Sequence, residues 1–200
     1  MRRWIGAAAL TLALCGGAAP APPSHIVSLK LCTDGLLLDL VPRSRIASIS
    51  YLSETPDNAY LWPQAKDIPV NHNRVEDVLL EKPDLVLADD YTSPVMLSFL
   101  ARAKIPLVQV PDANNFAQIR TALRIVARAV DEVPRGEALI AAMNAKLRAL
   151  AAAPHRRIRV AAWGAGGYVP GRGTLFDAIR ISAGGTYIVF RDPNLHTEQL

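Results

Sequence analysis

Beyond Pro23 the chain alternates short apolar runs with longer stretches of helical period. Residues 25–29, His25-Ile26-Val27-Ser28-Leu29, read as a buried strand. Thr33 or Asp34 is predicted to N-cap the next helix, which carries Leu36, Leu37, Leu38 and Leu40, because a side-chain oxygen there accepts a free N–H of the first turn. Pro42 stops that helix, and residues 45–50 form the next strand. Residues 54–69 are polar, punctuated by proline and loop-like. Residues 74–81 make a short helix with Val75, Val78 and Leu79 on one side; Pro83 ends it and 85–88 is a strand. Ser93 or Pro94 opens a helix to about residue 103, 107–110 is a strand, and Asn114 or Asn115 caps a helix over 116–130. Strand, loop and helix in that repeating order predict an α/β fold with a parallel sheet and helices on both faces, because parallel neighbours need a crossover.

Pro134-Arg135-Gly136 then precedes an uninterrupted helical stretch, 137–153, rich in Ala and Leu and ended by Pro154. At ~1.5 Å per residue it spans about 25 Å. A second α/β unit opens with a strand at 159–163. Five glycines follow (164, 166, 167, 171 and 173), and then a helix over 175–183 capped by Thr174 and ended by Gly184-Gly185. One strand and one helix, ~40 residues, cannot bury a useful core. The expectation is a truncated second unit, with Glu198-Gln199-Leu200 opening a further helix.

The first residues carry a different signal. Arg2 and Arg3 form a positive segment, residues 4–14 an apolar run too short to span a bilayer, and 16–19 are small. This order predicts a secretory signal over residues 1–18. Leu12-Ala13-Leu14-Cys15 approaches a lipoprotein box, although Leu14 replaces the usual small residue, so lipid anchoring through Cys15 is the alternative. The arginine pair also allows twin-arginine export. Removal of Cys15 leaves Cys32 alone, with no internal disulfide. Half the residues are hydrophobic and a fifth charged, the balance of a folding chain. The net charge of +4 includes Arg2 and Arg3, and no basic run interleaved with aromatics points to nucleic acid. The four histidines and two cysteines lack zinc-ligand spacing.

Loops at the carboxyl ends of parallel strands are the expected ligand site. They bring forward Tyr51, the segment Asp89-Asp90-Tyr91, and Trp163 with Tyr168. Asp89-Asp90 is a carboxylate pair of the kind that does acid–base work when environments split its pKa values. No Gly-x-Ser-x-Gly nucleophile motif accompanies it. Trp163-Gly164-Ala165-Gly166-Gly167 hints at a dinucleotide fingerprint, but Tyr168-Val169-Pro170 interrupts it before the helix at Thr174.

The stretch from Asn73 to Ala88, with Lys82-Pro83-Asp84-Leu85-Val86 running into a strand, resembles the periplasmic binding proteins for cobalamin and iron–siderophores. Ile26-Val27-Ser28-Leu29, Ile105-Pro106-Leu107-Val108 and the long helix after residue 135 fit the same pattern, so the resemblance covers roughly residues 25–200. It implies two Rossmann-like α/β lobes, an N-terminal one over 24–132 and the start of a C-terminal one over 155–200. A backbone helix over 133–154 joins them. It implies capture of a metal chelate (a ferric siderophore, a corrinoid such as cobalamin, or haem) and delivery to an ABC permease and, through it, an ATPase. The protein would be periplasmic and monomeric, with no catalytic residue and no resident cofactor or metal. Candidate ligand contacts are Tyr51, Trp62, Asp89, Tyr91, Trp163, Tyr168 and Arg172, with His72-Asn73-Arg74 on a loop that also approaches the ligand. The resemblance further implies that Glu76 and Glu198, one per lobe, dock on permease arginines. The competing readings are a bare-metal (Zn or Mn) binding protein and a small secreted α/β enzyme using Asp89 and Asp90.

Overall fold

Strand β1 (Ile26–Ser28) is flanked on both sides. It pairs in parallel with β2 (Ile46–Ser50) and with β4 (Leu85–Asp89). Strands β3 (Val70–Asn71) and β5 (Leu107–Val110) close the edges, giving the order β3-β2-β1-β4-β5 with every pairing parallel. The computed structural model describes residues 21–56, 60–154, 158–160, 162 and 169–187. Both faces of the sheet are covered, which is why its strands read as near-continuous apolar runs. Ile26, Leu85 and Leu87 pack with Leu37 and Leu40 of α1 (Leu31–Leu40), Leu123 and Val126 of α5 (Phe116–Ala129) and Ile140 of α6 (Val133–Ala152). Val27, Leu29, Val86 and Ala88 face the other way, against Val78 of α3 (Val75–Glu81) and Met96 and Leu100 of α4 (Pro94–Arg102).

Three helices carry the caps expected of them. Ser93, Asn115 and Thr174 accept from the N–H groups of Met96, Gln118 and Asp177. The first helix does not. It begins at Leu31, and Thr33 and Asp34 lie buried inside it instead of capping it. Their side chains are drawn inward: Thr33 shares a 2.7 Å hydrogen bond with the Ser28 hydroxyl, and both Asp34 oxygens accept from the Ser50 N–H at 3.2 Å. In α3 the buried residue is Val78, while Leu79 is 48% exposed, so Leu79 falls outside the apolar side predicted for it. The loop-like stretch contains a short helix, α2 (Trp62–Ala65), which buries Ala65.

Helix α6 starts at Val133, four residues ahead of the uninterrupted stretch that begins at 137. Pro134 sits in its first turn, where a missing N–H costs nothing. Gly136 is helical because α5 crosses it closely; a Cβ there would stand 2.6 Å from the Ala127 Cβ. Arg45 holds the same junction, donating to the Pro23 carbonyl and to Glu132 at 2.9 Å. Past α6, β6 (Ile158–Val160), α7 (Leu175–Ser182) and β7 (Gly185–Tyr187) form a parallel strand–helix–strand unit. The expected single strand is thus joined by a second. Gly184, at φ 73°, ends the helix, and Gly185 belongs to β7.

Gly136→Val is expected to lower the unfolding free energy by about 2 kcal/mol or more, since the added carbons meet a backbone-supported neighbour. A urea midpoint equal to that of the wild type would overturn the close-crossing explanation. A second expectation concerns Asp34, whose carboxyl is pushed up from 3.8 to about 6 by burial, against the polar groups of Ser28, Ser53 and Ser50 that pull it down. A carboxyl raised by folding binds its proton more tightly in the folded state. Its contribution to stability is therefore complete below about pH 4 and lost as the pH rises through about 6. The full effect is on the order of 3 kcal/mol. Asp34→Asn removes the titration, so urea melts between about pH 4 and 8 should show the variant gaining on the wild type across that window. A difference independent of pH would contradict it.

Candidate functional site

In a parallel sheet all carboxyl ends lie at one edge, and the crevice opens where the strand order reverses, here between β1 and β4. The loops at that edge start at Leu29, Tyr51, His72, Asp90 and Pro111.

On the β2–β3 side, Tyr51 opens a 3-10 turn, Tyr51–Glu54, and is 42% exposed. Its ring stacks on His72, centroids 5.5 Å apart and planes 14° from parallel. Beneath this pair lies a buried polar layer of Ser28, Thr33, Asp34, Ser48, Ser50, Ser53 and Asn71, each no more than 2% exposed. Asp34 accepts from the Ser50 N–H and, at 2.7 Å, from the Ser53 hydroxyl. The Asn71 amide donates to the Ser28 carbonyl at 2.9 Å and the Ser48 hydroxyl at 3.1 Å. The His72 N–H donates to Asp77 at 2.8 Å. This layer is absent from the candidates drawn from sequence. Its signal is a polar residue at the last position of three successive strands: Ser28, Ser50 and Asn71.

On the β4–β5 side, Asp89 is buried and closes its own turn, accepting from the Tyr91 N–H at 3.0 Å and the Thr92 hydroxyl at 3.1 Å. Asp90 is exposed and accepts from the Asp112 N–H at 3.1 Å. The two carboxylates therefore serve different partners and do not form a paired acid and base. Tyr91 is 72% exposed, and the Asp112 carboxylate near its hydroxyl raises its pKa, with Asp90 and Asp89 adding to the effect. Cys32, a free cysteine in the first turn of α1, has its pKa raised by partial burial and then by Asp112, Asp89 and Asp34. A thiol so placed stays protonated. A cavity of about 120 Å³ lies between Leu29, Lys30, Asn73, Tyr91, Thr92, Ser93 and Met96. Asn73 adopts the left-handed conformation that asparagine tolerates, at φ 60°. Its buried Oδ1 has no hydrogen-bond partner among the described residues.

The remaining candidates are dispersed. Trp62 is half-buried in α2, which packs on the Tyr51 turn. Arg172 is exposed in the turn before α7. Trp163, Tyr168 and Glu198 lie outside the described residues. Glu76 is exposed in the first turn of α3 and makes no ion pair among the described residues. Among those residues no three His, Cys, Asp or Glu side chains are grouped to hold a metal ion, and no helix is long and apolar enough to cross a membrane.

Residues 26–192 match the periplasmic binding protein family. No curated protein matches the chain. Among solved structures the chain is similar to the periplasmic haem-binding protein HutB of Vibrio cholerae: 21% identity, TM-score 0.68, covering 82% of this chain and 66% of that one. It is similar to the vitamin B12 binding protein BtuF of Vibrio cholerae at 18% identity and TM-score 0.64, over 90% and 73% of the two chains. A possible iron-binding, periplasmic solute-binding protein of Staphylococcus epidermidis aligns at 16% identity and TM-score 0.68, over 84% and 67%. The chain thus spans about two thirds of the length of the solved structures it resembles. Likeness at these identities establishes the mixed α/β fold. The family match takes in every element from β1 to β7, and the chain belongs to the periplasmic binding protein family, whose role is to bind solutes.

Proposed function

We propose that this protein is the solute-binding component of an ABC importer and that its cargo is a metal chelate: a ferric siderophore, a corrinoid such as cobalamin, or haem. The observation that carries the reading is the exposed Tyr51–His72 stack at the carboxyl edge, standing on a buried hydrogen-bonded base. Large chelates present broad conjugated or apolar faces, and aromatic rings held in a fixed plane suit them. The neighbours described as binding haem, vitamin B12 and iron point to the same class. Tyr91, Trp62 and the turn closed by Asp89 extend this wall, and Trp163, Tyr168 and Arg172 supply the facing one, Arg172 neutralising an anionic chelate. Helix α6, 20 residues and about 30 Å long, joins the two lobes as a stiff strut. The protein performs no chemistry. It is exported to the periplasm through residues 1–18, with lipid anchoring at Cys15 as the alternative, and acts as a monomer.

Delivery uses Glu76 and Glu198 as docking charges, one on each lobe. The exposure of Glu76 and its lack of an ion-pair partner among the described residues support this. A rim charge fixes orientation and acts on association.

The mature protein is expected to bind haemin, cyanocobalamin or a ferric siderophore with a dissociation constant of about 1 μM or lower, read by quenching of Trp62 and Trp163. Tyr51→Ala should weaken that binding about tenfold. Failure to bind any of the three, with tight binding of Zn²⁺ or Mn²⁺, would replace this reading with the bare-metal one. Glu76→Arg should leave chelate affinity unchanged and reduce uptake in cells at limiting chelate, while changing folding stability by no more than about 0.3–1 kcal/mol. Normal uptake would end the docking assignment.

A further inference from the structure

Tyr51 is bracketed by two anchors that reach the same buried carboxylate. The residue before it, Ser50, ends β2 and sends its backbone N–H to Asp34 at 3.2 Å. Ser53, two residues after it, sends its hydroxyl to Asp34 at 2.7 Å. Ser50 also accepts from the Leu52 N–H at 3.2 Å, which closes the turn from within. Tyr51 itself is half-exposed, so beyond its stack on His72 its place is set by the turn beneath it.

We infer that Asp34 is the positioning residue of the candidate site: its carboxylate fixes the turn that holds the Tyr51 ring against His72. The inference rests on the reading that Tyr51 contacts the cargo. Asp34 is wholly buried, and no ion pair with a cation is found for it among the described residues. A buried carboxylate without a cation is costly, so it is a poor stabiliser of the core. What it supplies is geometry. Two oxygens collect an N–H and an O–H from either side of one residue, a grip that an apolar side chain of similar volume cannot make. The partner ring is held in an equivalent way. Asn71, directly before His72, is 1% exposed and tied to Ser28 and Ser48, and the His72 N–H is held by Asp77. Both faces of the stack are thus anchored to α1 and the sheet, and only the Tyr51 side depends on Asp34.

The test has one arm without ligand and one with it. In the free mature protein, the Tyr51 ring current shifts the His72 ring protons upfield in NMR spectra. Tyr51→Ala should abolish that shift, Asp34→Ala should reduce it to a similar extent, and Asp34→Asn, which keeps an acceptor oxygen, should largely preserve it. With haemin and with cyanocobalamin as probes, Asp34→Ala should weaken binding about tenfold. In the Tyr51→Ala background the same change should have no further effect, because a residue acting only through Tyr51 has nothing left to act on. If Asp34→Ala does not fold, Ser53→Ala removes one of the two anchors and should give a smaller loss that likewise vanishes with Tyr51→Ala. An unchanged His72 shift in Asp34→Ala, or losses that multiply across the double variant, would overturn the inference. If the shift moves as expected but the wild type binds neither probe nor a ferric siderophore, the functional reading falls and the positioning role of Asp34 stands.

Discussion

The parallel pairing of β1 with β2 on one side and β4 on the other governs the remainder of this molecule. A parallel neighbour cannot be reached by a hairpin, so each strand must be followed by a crossover that returns the chain to its starting end. Those crossovers are the helices that cover the two faces. The residues of β1 are consequently 0% exposed and alternate between the two apolar clusters, Ile26 toward α1, α5 and α6 and Val27 toward α3 and α4. The same constraint delivers every carboxyl-terminal loop to one edge. Tyr51, His72 and Tyr91 lie at that edge because each follows the end of a strand whose direction β1 dictates.

At that edge the sheet changes character. Its interior positions are mostly Ile, Val, Leu and Ala, but Ser48 and the last residues of β1, β2 and β3, Ser28, Ser50 and Asn71, are polar and buried. Buried polar groups are tolerable only when bonded, and these are bonded to one another and to Thr33 and Asp34 of α1. Replacing such a network by well-packed apolar residues is often neutral or stabilising. Its value lies in direction: hydrogen bonds have preferred angles and apolar contacts do not. The layer therefore trades some stability, visible in the raised carboxyl of Asp34, for a defined orientation of the turn above it.

Much of this architecture is legible in the chain because its signals are local. The apolar runs of β2, β4 and β5 are bounded by proline or polar residues, and Ser93, Asn115 and Thr174 each precede a helical period and serve as caps. Thr33 and Asp34 look the same in sequence, small polar residues ahead of a run of leucines. They differ because the Ser28 hydroxyl, at the end of the preceding strand, and the Ser50 N–H, on the next strand, recruit them inward. Gly136 reads as a helix breaker, yet the closeness of Ala127 makes it the residue that lets α5 and α6 cross. Alternation brings Tyr51 and Tyr91 to strand ends and so marks half of the candidate site. The Tyr51–His72 stack and the Asp34 grip are pairings between segments, which no window along the chain contains.

Glu76 and Asp77 are neighbours in the first turn of α3 and serve different sides of it. Successive residues on a helix point about 100° apart. Asp77 turns toward the preceding loop and accepts the His72 N–H at 2.8 Å, while Glu76 faces solvent. The helix thus supports the aromatic pair with one carboxylate and offers the other to whatever meets its outer face. Contact at Glu76 gives no differential contact with the His72 loop unless α3 itself moves, and a ligand can bias an equilibrium only by such a difference. Val78 holds α3 in the apolar cluster with Val27 and Val86, so its movement would break core packing. Whatever meets Glu76 therefore acts on a different face of α3 from the one that holds the His72 loop, and the two can vary separately while Val78 keeps the helix in place.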